Sequence, residues 1–310
     1  MKILLPPSEG KMAPTSGAQL NWEKLTFSQL TQIRQRVAAE LQQVSGREDA
    51  LTILKVGASL SAQVRQQTHL MELPCAPAWQ VYTGVLYEAM DLPRLFTGSE
   101  NHAEAQDGAA ATESAAKRAH TATDATTAAE LAGEDALIRA ATDIVHRAER
   151  QIVVFSALFG VHSITDLIPA YRLAMGVRLP TVGNTATLWK RALATIPIAE
   201  NELVVDCRSE AYQVWTPPAG ADWVQVRAVR EHSGKRTVVS HNAKRYRGLL
   251  AGELLRTQSV PRDAEELADY AQALVGKAGV IAVELDAPAG GVSRRAITPK
   301  PWILTIVERS

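Results

Sequence analysis

The segment Lys2-Ile3-Leu4-Leu5-Pro6-Pro7 begins with an apolar run that two prolines end. A short apolar run with such a boundary is typical of a buried strand. Similar runs follow at Ile152–Phe155 and Leu203–Asp206, with helical patterns between and around them. This mixture of strands and helices predicts an α+β fold, in which helices surround a mixed sheet. The length of 310 residues fits one compact domain over residues 1–310.

The other predicted elements rest on hydrophobic periodicity. Apolar stripes predict helices over Trp22–Val44, Leu51–Val64, Ala136–Arg150, Asn184–Thr195, Ala243–Arg256 and Ala264–Leu274. Strand patterns occur at Trp223–Val229, Thr237–Ser240, Val280–Leu285 and Trp302–Val307, and the first two form a predicted hairpin. Asn184 is a predicted N-cap, because its side-chain oxygen can accept a hydrogen bond from the first helical turn.

The segment Gly98–Gly133 differs in kind from the rest of the chain. Ala, Thr, Glu and Asp dominate it, and large apolar residues are almost absent. Such a segment cannot bury enough surface to offset its ordering entropy. We predict that residues 98–133 form a low-complexity Ala/Thr-rich insertion, disordered or loosely helical, and not a second domain.

Composition narrows the class of protein. Lys and Arg number 33, as do Asp and Glu, so the formal net charge is zero. This balance argues against a protein built wholly for nucleic acid but allows a local basic cleft. The two cysteines, Cys75 and Cys207, indicate a reducing compartment, and no apolar window is long enough to span a bilayer. We predict a cytoplasmic protein with no membrane partner.

Positive charge is concentrated between His232 and Gly248. The cations there are Lys235, Arg236, Lys244, Arg245 and Arg247. Lys244 and Arg247 lie three residues apart on a predicted helix, so they share a face and can grip one phosphate. The alternative is an ordinary solvated helix face, and the pattern alone does not separate the two.

Polar clusters follow the apolar strands, where open sheets usually place binding groups. In the first cluster, Ser8-Glu9-Gly10-Lys11, backbone amides and an ammonium can bind an anion, although the spacing is not that of a P-loop. The alternative is a solvated turn. Arg172 beside Tyr171 is either a second cleft cation or a structural partner for an acid.

The cluster after the strand Leu203–Asp206 supplies candidate catalytic groups. Glu210 and Tyr212 are the acid–base candidates, and Ser209 is a hydrogen-bond donor without the context of a hydrolase elbow. Asp206 either pairs with Glu210 for acid–base work or forms a salt bridge. The histidines lack the spacing of metal ligands, so we predict neither a metal nor a cofactor.

Taken in chain order, these segments resemble the YaaA family, known for peroxide-stress resistance. The matching segments are Pro6–Lys11, Val81–Gly84, Ser156–Val161, Ile168–Gly176, Asn184-Thr185, Leu188-Trp189, Ser209 with Tyr212, Ala243-Lys244 and Arg247-Gly248. The resemblance covers nearly the whole chain apart from the predicted insertion. It implies a cytoplasmic bacterial protein with a single compact α+β fold.

The resemblance also implies a function. Members of the family are expected to bind DNA through a positively charged cleft and a helix-hairpin-helix-like element, and to limit peroxide damage. A tight turn between helices within Gly160–Ile168 is the candidate for that element. The implied cleft residues are Lys11, Arg172, Lys244 and Arg247, with Tyr82, Ser209 and Tyr212 beside them; Lys235, Ser8, Glu9 and Tyr171 are further candidates.

Two functional hypotheses follow, with a ligand-free scaffold as a third alternative. The first is a DNA-binding protein of the oxidative stress response, whose binding is sensitive to salt. The second is an enzyme that acts on a phosphorylated or nucleotide-like small molecule, with Lys11, Lys244 and Arg247 holding the anion. If the cations are spread along an open groove, the DNA-binding hypothesis is favoured. If they converge on an enclosed pocket, the enzyme hypothesis is favoured. The sequence predicts no oligomeric state.

Overall fold

The computed structural model describes residues 1–97, 139–199, 201–239, 241–257, 259–288 and 299–309, so the whole of the predicted insertion at 98–133 lies outside the described residues. The strands are β1 (Lys2–Leu5), β2 (Gly10–Lys11), β3 (Ala76–Pro77), β4 (Tyr82–Thr83), β5 (Ile152–Ser156), β6 (Gly160–Ser163), β7 (Leu167–Ile168), β8 (Arg178–Leu179), β9 (Gly183–Asn184), β10 (Val204–Asp206), β11 (Trp223–His232), β12 (Lys235–Val238), β13 (Val280–Asp286) and β14 (Trp302–Arg309).

The α-helices are α1 (Thr31–Ser45), α2 (Ala50–Leu54), α3 (Ser61–Gln66), α4 (Ala78–Val81), α5 (Val85–Met90), α6 (Leu92–Thr97), α7 (residues 139–151), α8 (Thr185–Ala192), α9 (His241–Arg256) and α10 (Ala264–Ala271). Single 3₁₀ turns lie at Trp22–Lys24, Ser28–Leu30, Ala58–Leu60, Gln67–His69, Leu193–Thr195, Glu210–Tyr212 and Gln272–Leu274. No helix in the described ranges has the length and apolar character that crossing a membrane requires.

A mixed eight-stranded sheet forms the centre of the molecule. Its strand order is β13-β14-β11-β10-β1-β5-β6, with β12 paired to β11. Strands β5, β1, β10, β11 and β14 are parallel to their neighbours in this set, whereas β6, β12 and β13 are antiparallel. Ile3, Leu4 and Leu5 are fully buried, as expected for a central strand with both faces covered. The predicted mixed sheet with surrounding helices in a single compact domain is confirmed.

The first strand lies where the chain changes direction across the sheet. After β1 the chain reaches β5 on one side, and later it reaches β10 on the opposite side of β1. Parallel strands end at the same edge, so the loops that follow β1, β5 and β10 converge there. The crevice outside the carboxyl end of β1 is therefore a topological switch point, where open sheets bind ligands.

Several helix boundaries differ from the predicted ones. The helix predicted over Trp22–Val44 begins only at Thr31, because Phe27 has a left-handed backbone (φ 56°) and 3₁₀ turns precede the helix. The helix predicted over Leu51–Val64 is divided into α2 and α3 after Lys55, another left-handed residue (φ 55°). The N-cap prediction is confirmed, since Asn184 accepts a hydrogen bond from the Thr187 amide at 3.0 Å.

The segment Gly160–Ile168 is not a turn between helices, and that prediction is wrong. It consists of β6, which pairs with β5, and β7, which pairs with β3. Gly160 has a φ of 72°, and a Cβ atom there would lie 2.5 Å from the Trp189 ring. The glycine is needed to turn the chain under a buried tryptophan, so this part of the chain supplies no helix-hairpin-helix element.

Helix α9 approaches α5 more closely than side chains normally allow. A Cβ atom at Gly248 would lie 2.1 Å from the carbonyl oxygen of Leu86, and one at Gly252 would lie 2.8 Å from that of Met90. The two glycines are one turn apart on the same face of α9. The backbones of α9 and α5 are therefore in direct contact here. This contact fixes the position of α9, the helix that carries Lys244, relative to α5.

Candidate functional site

A two-residue ladder positions Lys11 at the switch point. Strand β2 leaves the loop after β1 and pairs with β4, so that Lys11 lies opposite Tyr82 and Gly10 lies opposite Thr83. A Cβ atom at Gly10 would come within 2.9 Å of the Thr83 hydroxyl oxygen, so glycine permits the pairing. The pairing makes Gly10 and Lys11 an ordered part of the fold, while Glu9 and Gly10 remain exposed.

The amine of Lys11 is held between a carbonyl and two aromatic rings. Its Nζ atom donates to the carbonyl oxygen of Ser8 at 2.5 Å. The same atom lies 4.6 Å from the centre of the Tyr171 ring and 5.5 Å from that of Tyr82. These contacts anchor the amine in an environment that solvates a charge less well than water does.

The environment lowers the pKa of Lys11 to about 7. Burial of the ammonium is the largest cause, repulsion by Arg172 adds to it, and attraction to Glu9 opposes it. A lysine with such a pKa carries a substantial fraction of neutral amine at physiological pH. A neutral amine can accept a proton or attack an electrophile, which an ordinary lysine does poorly.

Lys11 faces a cavity of about 340 Å³ at this edge of the sheet. The lining residues are Lys11, Ala13, Pro14, Thr15, Gln63, Gln66, Leu73, Pro74, Ala170, Tyr171 and Arg172. Most of the wall is apolar, and a few polar groups converge on it. A cavity of this size and character is typical of a site for a small molecule.

Arg172 is the second cation of the cavity. Its Nε atom donates to Gln63 Oε1 at 2.6 Å, its Nη1 atom donates to the carbonyl oxygen of Glu9, and its backbone amide donates to Gln67 Oε1. Its Nη2 atom has no acceptor among the residues that the structure describes. The guanidinium is therefore oriented by the protein and keeps donors for a carboxylate or phosphate.

A buried chain of hydroxyl groups lies beneath Lys11. Ser156 Oγ and Tyr171 Oη are 2.7 Å apart, Tyr171 Oη and Tyr82 Oη are 3.0 Å apart, and Tyr82 Oη lies 2.9 Å from His162 Nε2. His162 Nδ1 lies 2.8 Å from the carbonyl oxygen of Ser163, which can only accept, so Nδ1 carries the proton.

The hydrogen bonds of this buried hydroxyl chain all run in one direction, and none of its groups is charged. Burial lowers the pKa of His162 to about 3, so its neutral ring accepts at Nε2 from Tyr82. Tyr82 then accepts from Tyr171, which accepts from Ser156; Ser156 Oγ in turn accepts from the amides of Leu158 and Phe159. Burial raises the pKa of both tyrosines. The chain therefore holds the ring faces that meet Lys11 in place.

Replacing Tyr82 with Phe should test this chain. The change leaves His162 Nε2 without a donor and Tyr171 without its acceptor, and a buried unpaired polar group costs about 1–3 kcal/mol. We expect the free energy of unfolding, measured in urea, to fall by that amount. Tyr270→Phe is the control, since the Tyr270 hydroxyl meets Ser259 near the surface. Equal losses in both variants would contradict the proposed chain.

The basic stretch does not form one continuous surface. Lys235 is exposed on the hairpin of β11 and β12, where Arg236 pairs with Glu284 at 2.7 Å. On α9, Lys244 Nζ lies 3.6 Å from the Glu9 carboxylate, at the rim of the site. Arg247 turns inward and donates from Nε to the carbonyl oxygen of Val226 at 3.0 Å. Lys244 and Arg247 therefore make different contacts although they share a helix.

The candidates after β10 divide in a similar way. Glu210 is exposed on a 3₁₀ turn that begins after Ser209, whereas Tyr212 is partly buried and bonded to the backbone of Met175. Burial raises the pKa of the Tyr212 hydroxyl. Asp206 forms a buried pair with Arg208, so of the two alternatives for this carboxylate the structure shows the salt bridge.

Neither metal ligands nor a reactive thiol accompany these groups. Among the described residues, no three His, Cys, Asp or Glu side chains are grouped closely enough to hold a metal ion. Both cysteines are buried and free. Burial raises the pKa of Cys75 to about 11 and that of Cys207 to about 12, so each remains a thiol at neutral pH. The lysine amine is the better nucleophile.

The sequence did not point to His162 or to the glutamines of the cavity. His162 lies within a fully buried strand, where a lone histidine carries no local signal. Gln63 and Gln66 are on the short helix α3 and look like ordinary surface residues. The strand-end rule did locate Ser8–Lys11, because that rule depends on where a strand stops and not on what surrounds it.

The fold and site define an α/β protein with an open mixed sheet and a cavity, lined in part by Lys11 and Arg172, at its switch point. The sequence profile of the peroxide stress protein YaaA family matches residues 1–106 and 139–273. The chain therefore belongs to this family, and the resemblance seen in the sequence is confirmed. The stretch 107–138 between the two matched segments overlaps the predicted insertion, and residues 274–310 also lie outside the match.

Individual relatives extend over most of the chain. A UPF0246 protein of Streptomyces coelicolor is 32% identical over 312 residues, which span 99% of this chain and 98% of that protein. UPF0246 proteins of Corynebacterium glutamicum and Corynebacterium efficiens are each 32% identical over 88% of this chain and 92% of their own length. These names state no reaction.

Proposed function

We propose that this member of the peroxide stress protein YaaA family is an enzyme that acts on a small anionic molecule. The observation that carries the proposal is the convergence of Lys11 and Arg172 on one cavity of about 340 Å³. Convergence of the two side chains on one cavity distinguishes this arrangement from cations spread along a groove. The proposal adopts the second of the two hypotheses drawn from the sequence.

The two cations have different roles in this proposal. Arg172 binds the carboxylate or phosphate of the substrate, because its fork is held by Gln63 and by the Glu9 carbonyl with donors to spare. Lys11 supplies a neutral amine as a base or nucleophile, for which its pKa of about 7 is suited. Thr15 and Gln66 offer further hydrogen bonds at the wall, and the apolar residues receive the body of the substrate.

The DNA-binding hypothesis has less support from the geometry. Lys235 lies on the exposed hairpin, Lys244 is near Glu9, and Arg247 is turned toward Val226. Sequence-independent binding to DNA needs several cations along one track. DNA therefore remains the competing partner in the experiment below. For location we propose the cytoplasm, where two unpaired buried cysteines are stable.

Replacement of Arg172 should weaken the binding of small anions. We expect Arg172→Ala to weaken binding of inorganic phosphate, AMP or pyruvate, whichever the wild type binds, by about 10- to 100-fold, the equivalent of one charge-assisted hydrogen bond. Arg172→Lys should recover only part, since an ammonium lacks the fork. Isothermal titration calorimetry measures the change in affinity. Lys244→Ala is the matched control, because it removes a cation at the rim of the site and leaves the cavity lining intact.

The contrary result is equally specific. Fluorescence anisotropy with labelled duplex DNA at low and near-physiological salt runs alongside the calorimetry. Salt-sensitive DNA binding that Lys244→Ala abolishes, together with no binding of the three small anions, would overturn the enzyme and restore the DNA-binding hypothesis. Circular dichroism of each variant shows that it is folded.

A further inference from the structure

The amine of Lys11 has a free reacting side. Among the described residues its hydrogen-bond partner is the Ser8 carbonyl, which occupies one hydrogen. A carbonyl oxygen cannot engage the nitrogen lone pair, and the rings of Tyr82 and Tyr171 cannot protonate it, because burial raises the pKa of both phenols. The neutral amine therefore keeps its lone pair available to a molecule in the cavity.

The guanidinium of Arg172 is tied to the same stretch of chain as this amine. Its Nη1 atom binds the carbonyl of Glu9, which is separated from Lys11 only by Gly10. Both side chains line the cavity. Because both side chains line one cavity, a ligand with its carboxylate on Arg172 can place its next carbon atom beside Lys11, and the ligand class with an electrophile at that position is the 2-oxo acids.

We propose that Lys11 forms an imine with a 2-oxo acid whose carboxylate is bound by Arg172. The inference rests on the proposed function and names its substrate class. The amine nitrogen of Lys11 attacks the carbonyl carbon, and the carbonyl oxygen takes up a proton that the nitrogen releases. This carbinolamine then loses its hydroxyl group as water, with the second amine proton, and a carbon–nitrogen double bond remains.

The balance of this step is complete without a redox partner. One primary amine and one ketone or aldehyde give one imine and one water molecule, and the reaction is reversible. The surroundings favour it, because the Lys11 amine is desolvated by burial and the cavity wall is apolar at Ala13, Pro14 and Leu73. Neutral lysines in such desolvated sites are the ones that form Schiff bases.

Reductive trapping tests the proposal on the full-length protein. Wild type is incubated with pyruvate or glyoxylate and sodium cyanoborohydride at pH 7.4, and the modified lysine is located by peptide mass spectrometry. Only about 0.1% of an ordinary lysine is neutral at this pH. We therefore expect modification at Lys11 to be at least about tenfold faster than at Lys244, with a pH midpoint near 7.

Matched variants separate this inference from the proposed function. Lys11→Arg should lose the adduct while it still binds pyruvate in calorimetry, and Lys244→Arg should keep both. Binding of pyruvate by wild type without an adduct at Lys11 would overturn the imine and leave the anion-binding enzyme in place. Neither binding nor an adduct with pyruvate or glyoxylate would overturn the imine, and the proposed function would be overturned as well if phosphate and AMP also failed to bind. Circular dichroism shows that each variant is folded.

Discussion

Replacing Lys11 with Met should stabilise the protein near pH 7, by about 3 kcal/mol after allowance for solvent in the cavity. The pKa of Lys11 falls from 10.5 to about 7 on folding. Between these values the unfolded chain binds a proton that the folded chain does not, so the stability of the wild type rises with pH. Below pH 7 the loss of stability that comes from burying Lys11 is constant, and above pH 10.5 this loss disappears. A residue kept at such a cost is typical of a functional site.

Urea unfolding of both proteins at pH 7 and pH 10 measures this effect. The difference in unfolding free energy between Lys11→Met and wild type should shrink as the pH rises, because only the wild type gains from deprotonation of this amine. Lys235→Met is the control, since Lys235 is exposed on the hairpin. The same pH dependence in wild type and Lys11→Met would show that the amine is not held in its neutral form.

The second large effect concerns the ion pair after β10. Arg208 Nε and Nη2 donate to the two carboxylate oxygens of Asp206 at 2.8 and 2.7 Å, and both side chains are completely buried. Arg208 also packs 4.2 Å from the centre of the Phe155 ring. Arg208→Met would leave a buried carboxylate with no cation beside it, and its remaining donors would be the backbone amide of residue 208 and the indole N–H of Trp223. We expect a loss of about 3–5 kcal/mol in the free energy of unfolding.

The chain contains a close match for this pair at its surface. Arg47 and Asp49 have the same spacing and the same two-pronged contact, at 2.7 and 2.9 Å, but both are about half exposed. Arg47→Met should change the free energy of unfolding far less than Arg208→Met does, because solvent screens the exposed pair. The double variant Asp206→Asn/Arg208→Met should be more stable than Arg208→Met, since it removes the uncompensated charge. Equal losses at the two arginines would refute the role of burial.

Sheet strands were more predictable than helix ends. Ile152–Phe155 and Leu203–Asp206 are buried runs rich in Val, Ile and other large apolar residues, so tertiary contacts had little local preference to override. The helix predicted from Trp22 failed because its apolar spacing continues through residues that pack on the core without being helical. Phe27 shows the reason, since nothing in its neighbours demands a left-handed backbone.

The site was predictable only in part, for a related reason. Strand ends are visible in the sequence, and they located Lys11, whereas Arg172 was predicted from its place beside Tyr171 and from the family resemblance. The direction of a side chain is not visible: Lys244 and Arg247 share a helix face, yet one meets a carboxylate and the other a backbone carbonyl. His162 joins Tyr82 across 80 residues, a contact that only the completed fold creates.

The glycine contact between α9 and α5 acts as a fixed spacer beside the site. At Gly248 the helix rests on the Leu86 carbonyl, and α5 begins two residues after Thr83, the partner of Gly10. The separation between the cationic helix and the strand that bears Lys11 is thus set by main-chain atoms alone. A substitution at position 244 can therefore change the charge near the cavity, in evolution or by design, without changing the distance between α9 and the strand that bears Lys11.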